Sequence, residues 1–250
     1  EEGFRGGPAL DAARRGQDKR AVDGFLEALS VAHTVMSSVG EDGQLQYEAE
    51  SPDEYALVKA AADLGWAFQR RRGNELSVNC TGDPGSRPDA RQYTVLATNE
   101  FNSDRKRMSV VVQHGSEYTL FVKGADNVML DRAEGAHRQL EADLRAFSRQ
   151  GLRTLVIGSR TMTQAEVSSW REEYEEAARA TRERERRLGE AAEKIERQLH
   201  ILGATAIEDK LQDEVPETIV RVRAAGIKLW VLTGDKLETA RNIGFSTKVL

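Results

Sequence analysis

The chain reads as α/β: an α+β unit with an antiparallel sheet and flanking helices, followed near Gly203 by a short β-α-β-α run of doubly wound type. Three observations predict this. Short apolar runs alternate with turn-rich pieces between residues 66 and 122. Residues 163–200 carry the most regular helical stripe in the chain. After Gly203 the pattern switches to alternating strand and helix.

Taken in order, residues 1–20 are rich in Gly, Arg and Asp without periodicity and read as a loose lead-in. From 22 to 39 the apolar positions Phe25, Leu26, Leu29, Ala32, His33 and Met36 predict one helix ending at Gly40. Ser51 is a candidate N-cap, with Pro52 in the first turn and Asp53 and Glu54 at the positive end of the dipole. That helix runs through 56–64 and stops at Gly65. Strands are predicted at 66–69, 76–79, 93–98, 108–113 and 118–122, with TGDPGSRPD and QHGSE as breaks. Helices follow at 128–133 and 136–150, then a strand at 152–159.

In 163–200, Val167, Trp170, Tyr174, Ala177, Thr181, Leu188, Ala191, Ile195 and Leu199 recur every three or four residues, and the stripe lapses near Arg184. A long or broken helical hairpin is expected, not a coiled coil. Beyond Gly203 come a strand at 201–206, a helix at 215–225, a parallel strand at 227–232 and a helix after Gly234. The domains are therefore expected to be 1–203 and 204–250.

Composition narrows the function. The 250 residues are 39% hydrophobic and 31% charged, enough for a core and a water-facing surface. No apolar run approaches the roughly 20 residues of a membrane helix, and the first residues have no signal-peptide core, so a soluble piece is expected. A net charge of −5 argues against nucleic acid. The basic runs Arg70-Arg71-Arg72 and Arg105-Lys106-Arg107 are local exceptions that suit a small phosphorylated ligand or a solvated face. One cysteine, Cys80, excludes an internal disulfide and a cysteine zinc cluster.

Four stretches carry possible chemistry. In Asn99–Arg107 an aromatic, Phe101, precedes a cationic cluster, which suits stacking on a base and neutralising a phosphate tail. Lys123-Gly124 ends a strand with a point charge and a residue that permits close approach. Arg153 enters an apolar strand and needs a partner there. Thr233-Gly234-Asp235 sits where a strand turns into a helix, the place open α/β sheets put ligands.

AESPDEYALV, NEFNSDRKRMSV, FVKGAD, QGLRTL, ATAIEDKLQ and GIKLWVLTGDKLETARNIG together resemble the P-type ATPases, and within them the type IV phospholipid flippases. The resemblance covers residues 22–250; AESPDE and ATAIEDKLQ point to the lipid class over cation or polyamine pumps. Tyr55 and Leu237 depart from the commoner residues at their positions.

The resemblance implies that 1–203 is the nucleotide-binding domain and 204–250 part of a haloacid-dehalogenase-like phosphorylation domain. Phe101 would stack on adenine with Glu54 near the base. Ser103, Lys106 and Lys123 would line the adenosine pocket, and Arg153 with Thr154 would hold the phosphate side. Thr233, Gly234 and Asp235 would approach the γ-phosphate when the domains close. The ligands implied are ATP and Mg2+, with the magnesium ligands outside this chain. The implied partners of the whole protein are a phospholipid and an accessory membrane subunit, and the chain itself is expected to be monomeric. It would be a cytoplasmic domain of an integral membrane protein. The family's DKTGT and GDGxND motifs do not occur in the sequence. The chain is therefore expected to bind ATP without forming a phospho-aspartate. A nucleotide-sensing module that never turns ATP over is the alternative from another class.

Overall fold

The computed structural model describes residues 12, 13, 16, 18–40, 43–81, 88–208, 213–233 and 237–250, with backbone only at 238 and 239. Two compact units emerge: residues 1–135 with 156–203, and residues 136–155 with 204–250.

In the first unit every strand expected between 66 and 122 is present and runs longer. They are β3 (Trp66–Arg72), β4 (Glu75–Cys80), β5 (Asp89–Asn99), β6 (Arg107–His114) and β7 (Glu117–Gly124). With β8 (Arg153–Met162) and β9 (His200–Ile207) they make a seven-stranded sheet in sequence order. Pairing from β3 to β8 is antiparallel throughout. Alternation sets the core: Tyr93, Val95 and Ala97 of β5 point inward, whereas β6 is buried from Arg107 to Val112. Bulges break the register between Phe68 and Arg70 and between Val95 and Ala97.

The helix expected over 22–39 is shorter. It is α1 (Lys19–Val31), and 36–39 form β1 (Met36–Val39), paired antiparallel with β2 (Leu45–Glu48). The apolar spacing ran on because Val35, Met36 and Val39 suit a helical stripe and a strand alike. His33 decides: its Nε2 lies 2.9 Å from the Ser30 carbonyl and its Nδ1 accepts the Val35 N–H at 3.1 Å, closing the helix end.

Next comes α2 (Pro52–Asp63), capped as expected by Ser51. After β7 lie α3 (Asp126–Leu130) and, beyond β8, the expected helical hairpin, α5 (Gln164–Arg179) and α6 (Arg184–Ile195). A reciprocal Thr163–Glu166 capping box starts α5, and Trp170 Nε1 donates to the Ala191 carbonyl at 2.9 Å, locking the two helices.

The second unit holds α4 (Arg138–Arg149), α7 (Val215–Ala224) and α8 (Leu237–Ser246). Asn242 of α8 donates from Nδ2 to the Arg149 carbonyl at 3.2 Å, and Arg223 reaches the Lys248 carbonyl at 2.9 Å. The parallel strand expected at 227–232 is not formed: among the described residues the segment has no strand partner, and Trp230 and Leu232 are 83% and 92% exposed. A parallel strand stands only with hydrogen-bonded neighbours and helices over both faces. The strand expected beside it, β9, instead takes the edge place next to β8.

Candidate functional site

The start of α2 fixes one acid. Ser51 is extended and its Oγ accepts the Glu54 N–H at 3.3 Å, while Pro52 occupies the first turn. Glu54 is thereby held in the first turn, and its carboxylate is used on both sides. Lys123 Nζ donates to Oε1 at 2.6 Å; the Thr34 N–H and hydroxyl donate to Oε2 at 3.1 and 2.7 Å. Burial opposes charge on Glu54, but the Lys123 ammonium and the bonds from Lys123 and Thr34 carry its carboxyl below the usual range. Lys123 is the more deeply buried partner, and burial pulls its ammonium down against the attraction of Glu54.

Thr34 is set by its neighbour. The His33 ring is buried, packs edge-on to Phe68 with centroids 4.5 Å apart, and bridges Ser30 and Val35. Burial first, then the Lys123 charge, push its pKa down to about 4, so the ring is neutral at neutral pH.

A loop from Glu100 to Lys106 joins β5 to β6. Phe101 stands on it 63% exposed, and Ser103 and Lys106 are exposed beside it. An exposed aromatic ring on a fixed loop is available to stack. Lys106 adopts φ +51, a left-handed conformation costing about 1–2 kcal/mol for an L-residue. Three bonds hold that shape: the Lys106 N–H to the Asn102 carbonyl at 2.8 Å, the Arg105 N–H to Asn102 Oδ1 at 2.7 Å, and the Ala125 N–H to the Lys106 carbonyl at 3.0 Å. The last ties the loop to the end of the strand carrying Lys123.

Two sequence expectations are corrected here. Arg105 and Arg107 do not form a free cationic cluster with Lys106. Both bind Glu196, and Arg107 also binds Glu193, which takes Arg132 as well. Ser109 donates to Glu196 Oε1 at 2.6 Å. Unpaired arginine is too costly to bury, so the two that face the core are neutralised and only Lys106 stays exposed. Gly124 is not a place for ligand approach: a Cβ there would lie 2.5 Å from Arg107 Cβ and 2.8 Å from the Lys106 carbonyl. The neighbouring strand fills that space.

Of the residues named from sequence, Glu54 and Lys123 are joined directly, and Phe101, Ser103 and Lys106 share the loop bonded to Ala125. Arg153 and Thr154 open β8, partly buried, in the second unit, and Thr233 is exposed there. Gly234 and Asp235 lie outside the described residues. Thr34, His33 and Glu196 were missed. The β-branched Thr34 and Val35 signalled the end of α1, but Glu196 looks like every other acid of its hairpin. Among the described residues no cluster of three His, Cys, Asp or Glu side chains offers a metal site, and no helix is long and apolar enough to cross a membrane.

A family model for the P-type ATPase cytoplasmic domain N matches residues 22–214. The chain belongs to the P-type ATPases. This P-type ATPase chain is 44% identical over 241 residues to phospholipid-transporting ATPase DRS2 of Saccharomyces cerevisiae, covering 94% of the chain and 17% of the relative. It is 43% identical over 242 residues to phospholipid-transporting ATPase DNF1 of Chaetomium thermophilum, covering 94% and 15%. Against phospholipid-transporting ATPase ID of Homo sapiens the identity is 43% over 231 residues, covering 90% and 19%. The chain thus spans less than a fifth of these relatives.

Proposed function

We propose that the chain is the ATP-binding cytoplasmic part of an ATP-driven phospholipid-translocating P-type ATPase. Residues 1–203 act as its nucleotide-binding domain and 204–250 as part of its phosphorylation domain. One observation carries the ATP reading: the Glu54–Lys123 pair, fixed by Thr34, ends the strand to which the Phe101 loop is hydrogen-bonded. Phe101 stacks on adenine and Glu54 contacts the base. Ser103, Lys106 and Lys123 line the adenosine pocket, Arg153 and Thr154 hold the phosphate side, and Thr233, Gly234 and Asp235 meet the γ-phosphate on closure. The phospholipid substrate rests on the names of the relatives. An accessory membrane subunit and Mg2+ complete the working protein, with the metal ligands supplied by other residues than these.

The sequence contains no DKTGT motif, so the chain binds ATP without being phosphorylated. Titration with ATP tests the site. Stacking is worth about 0.5–1.5 kcal/mol, so Phe101→Ala weakens binding roughly three- to tenfold. Equal affinity for both forms would remove Phe101 from the site. Incubation with γ-labelled ATP leaves the protein unlabelled; acid-stable, hydroxylamine-sensitive label would reveal a nucleophile among its Asp residues.

A further inference from the structure

The β1–β2 hairpin and the edge strand β3 enclose an open cavity of about 950 Å³. Among the described residues, every charged side chain lining it is cationic: Arg70, Arg71 and Arg72. The remaining polar lining is neutral, including Ser37, Ser77 and Asn79. The three arginines are exposed and make no ion pair among the described residues; Arg71 Nε donates only to the Gly73 carbonyl, at 3.3 Å. Glu75, opposite Arg72 in register, is not part of the lining. A run of like charge beside a cavity whose described lining holds no carboxylate attracts an anion.

The strand geometry says which kind. Arg70 pairs in register with Ser77, Arg71 with buried Leu76 and Arg72 with Glu75, so Arg70 and Arg72 share one sheet face and Arg71 the other. At the strand's rise Arg70 and Arg72 stand about 7 Å apart. The carbonyls of Phe68 and Gln69 are taken by the Tyr47 and Ser37 hydroxyls, each at 2.8 Å, and Arg70–Arg72 continue the edge beyond those bonds. An edge strand is a template for another strand. A strand laid beside it repeats its side chains at the same period, so acids two residues apart meet Arg70 and Arg72 in step. The exposed Met36 and Val39 of β1 offer apolar surface for the residues between.

We propose that this groove binds an extended acidic peptide segment of a partner protein, with carboxylates at alternate positions seated on Arg70 and Arg72. The cavity shares Thr34 with the surroundings of Glu54, but the peptide proposal draws on Arg70 and Arg72, which are not assigned to the nucleotide site, and does not rest on the ATP reading.

The test is fluorescence anisotropy of the full chain with a labelled peptide alternating Asp and Val, against a peptide of the same composition with its Asp residues consecutive. The alternating peptide binds saturably, weakens as salt rises, and binds more tightly than the blocked one. Arg70→Glu with Arg72→Glu turns two attractive cross-strand pairs into repulsive ones and weakens binding about tenfold or more. Arg71→Glu weakens it less. All three side chains are exposed, and thermal melts confirm that the variants fold. Equal binding of the two peptides, or undiminished binding by the double variant, overturns the proposal. Binding of tripolyphosphate without the alternating peptide also overturns it and reassigns the groove to small anions.

Discussion

Glu196 accepts from Arg107 Nε at 2.6 Å with both side chains removed from solvent, and this pair anchors the helical hairpin to the strand that follows the Phe101 loop. Removing one partner strands a buried charge. Glu196→Ala is therefore expected to cost about 3–5 kcal/mol, since Arg107 stays in place without its main acceptor. Denaturant unfolding measures it. A loss below about 1 kcal/mol, the scale of an exposed pair, would mean that Glu193 or water takes over the guanidinium.

Gly124→Ala addresses the same strand pair from the other side. The new methyl meets Arg107 Cβ and the Lys106 carbonyl inside contact distance, and backbone on both sides must part. A cost of about 1–3 kcal/mol is expected, together with weaker ATP binding as Lys106 shifts. Unchanged stability and affinity would show that β6 and β7 separate there without effort.

His33 sets a pH dependence. Its folded pKa, about 4, lies below the ordinary 6.5, so the unfolded chain binds the extra proton first as pH falls. The stability is fully present above pH 6.5 and is lost toward pH 4, about 3 kcal/mol in all. Lys123, Glu54 and Arg71 are the charges that face the ring. Glu54, whose pKa is lowered from 4.5, loses its contribution only below that value, so the window from 6.5 to 4.5 reports His33. In that window His33→Gln should flatten the unfolding free energy against pH. An unaltered slope would assign the dependence to other groups.

Amides of the 227–233 segment should exchange with solvent far faster than those of β5 to β7. The former lie in no strand, with Trp230 and Leu232 exposed, whereas the latter are laddered on both sides. Hydrogen exchange read by mass spectrometry decides. Equal protection would mean that the segment pairs in solution.

The sequence by itself determined what is local. Alternation in 93–98, the short apolar run of 108–113, the Ser51-Pro52 start of α2 and the stripe of α5 and α6 each act within a few residues, so spacing and residue type suffice. The family was legible for the same reason, from short strings in a known order that include Glu54, Phe101 and Lys123. Only the tertiary structure decided what depends on distant partners. Arg105 and Arg107 look like surface cations until Glu196, some ninety residues on, is folded against them. The run at 227–232 reads as a strand, yet hydrogen bonds to neighbouring strands make a strand, and β9 is placed beside β8 instead. Thr34 reads as helix until Glu54 and Lys123 arrive from α2 and β7 to draw it into their pair. Charge neutralisation and strand pairing act between segments far apart in the chain, so they depend on the folded arrangement and leave no periodic trace in the residues that take part.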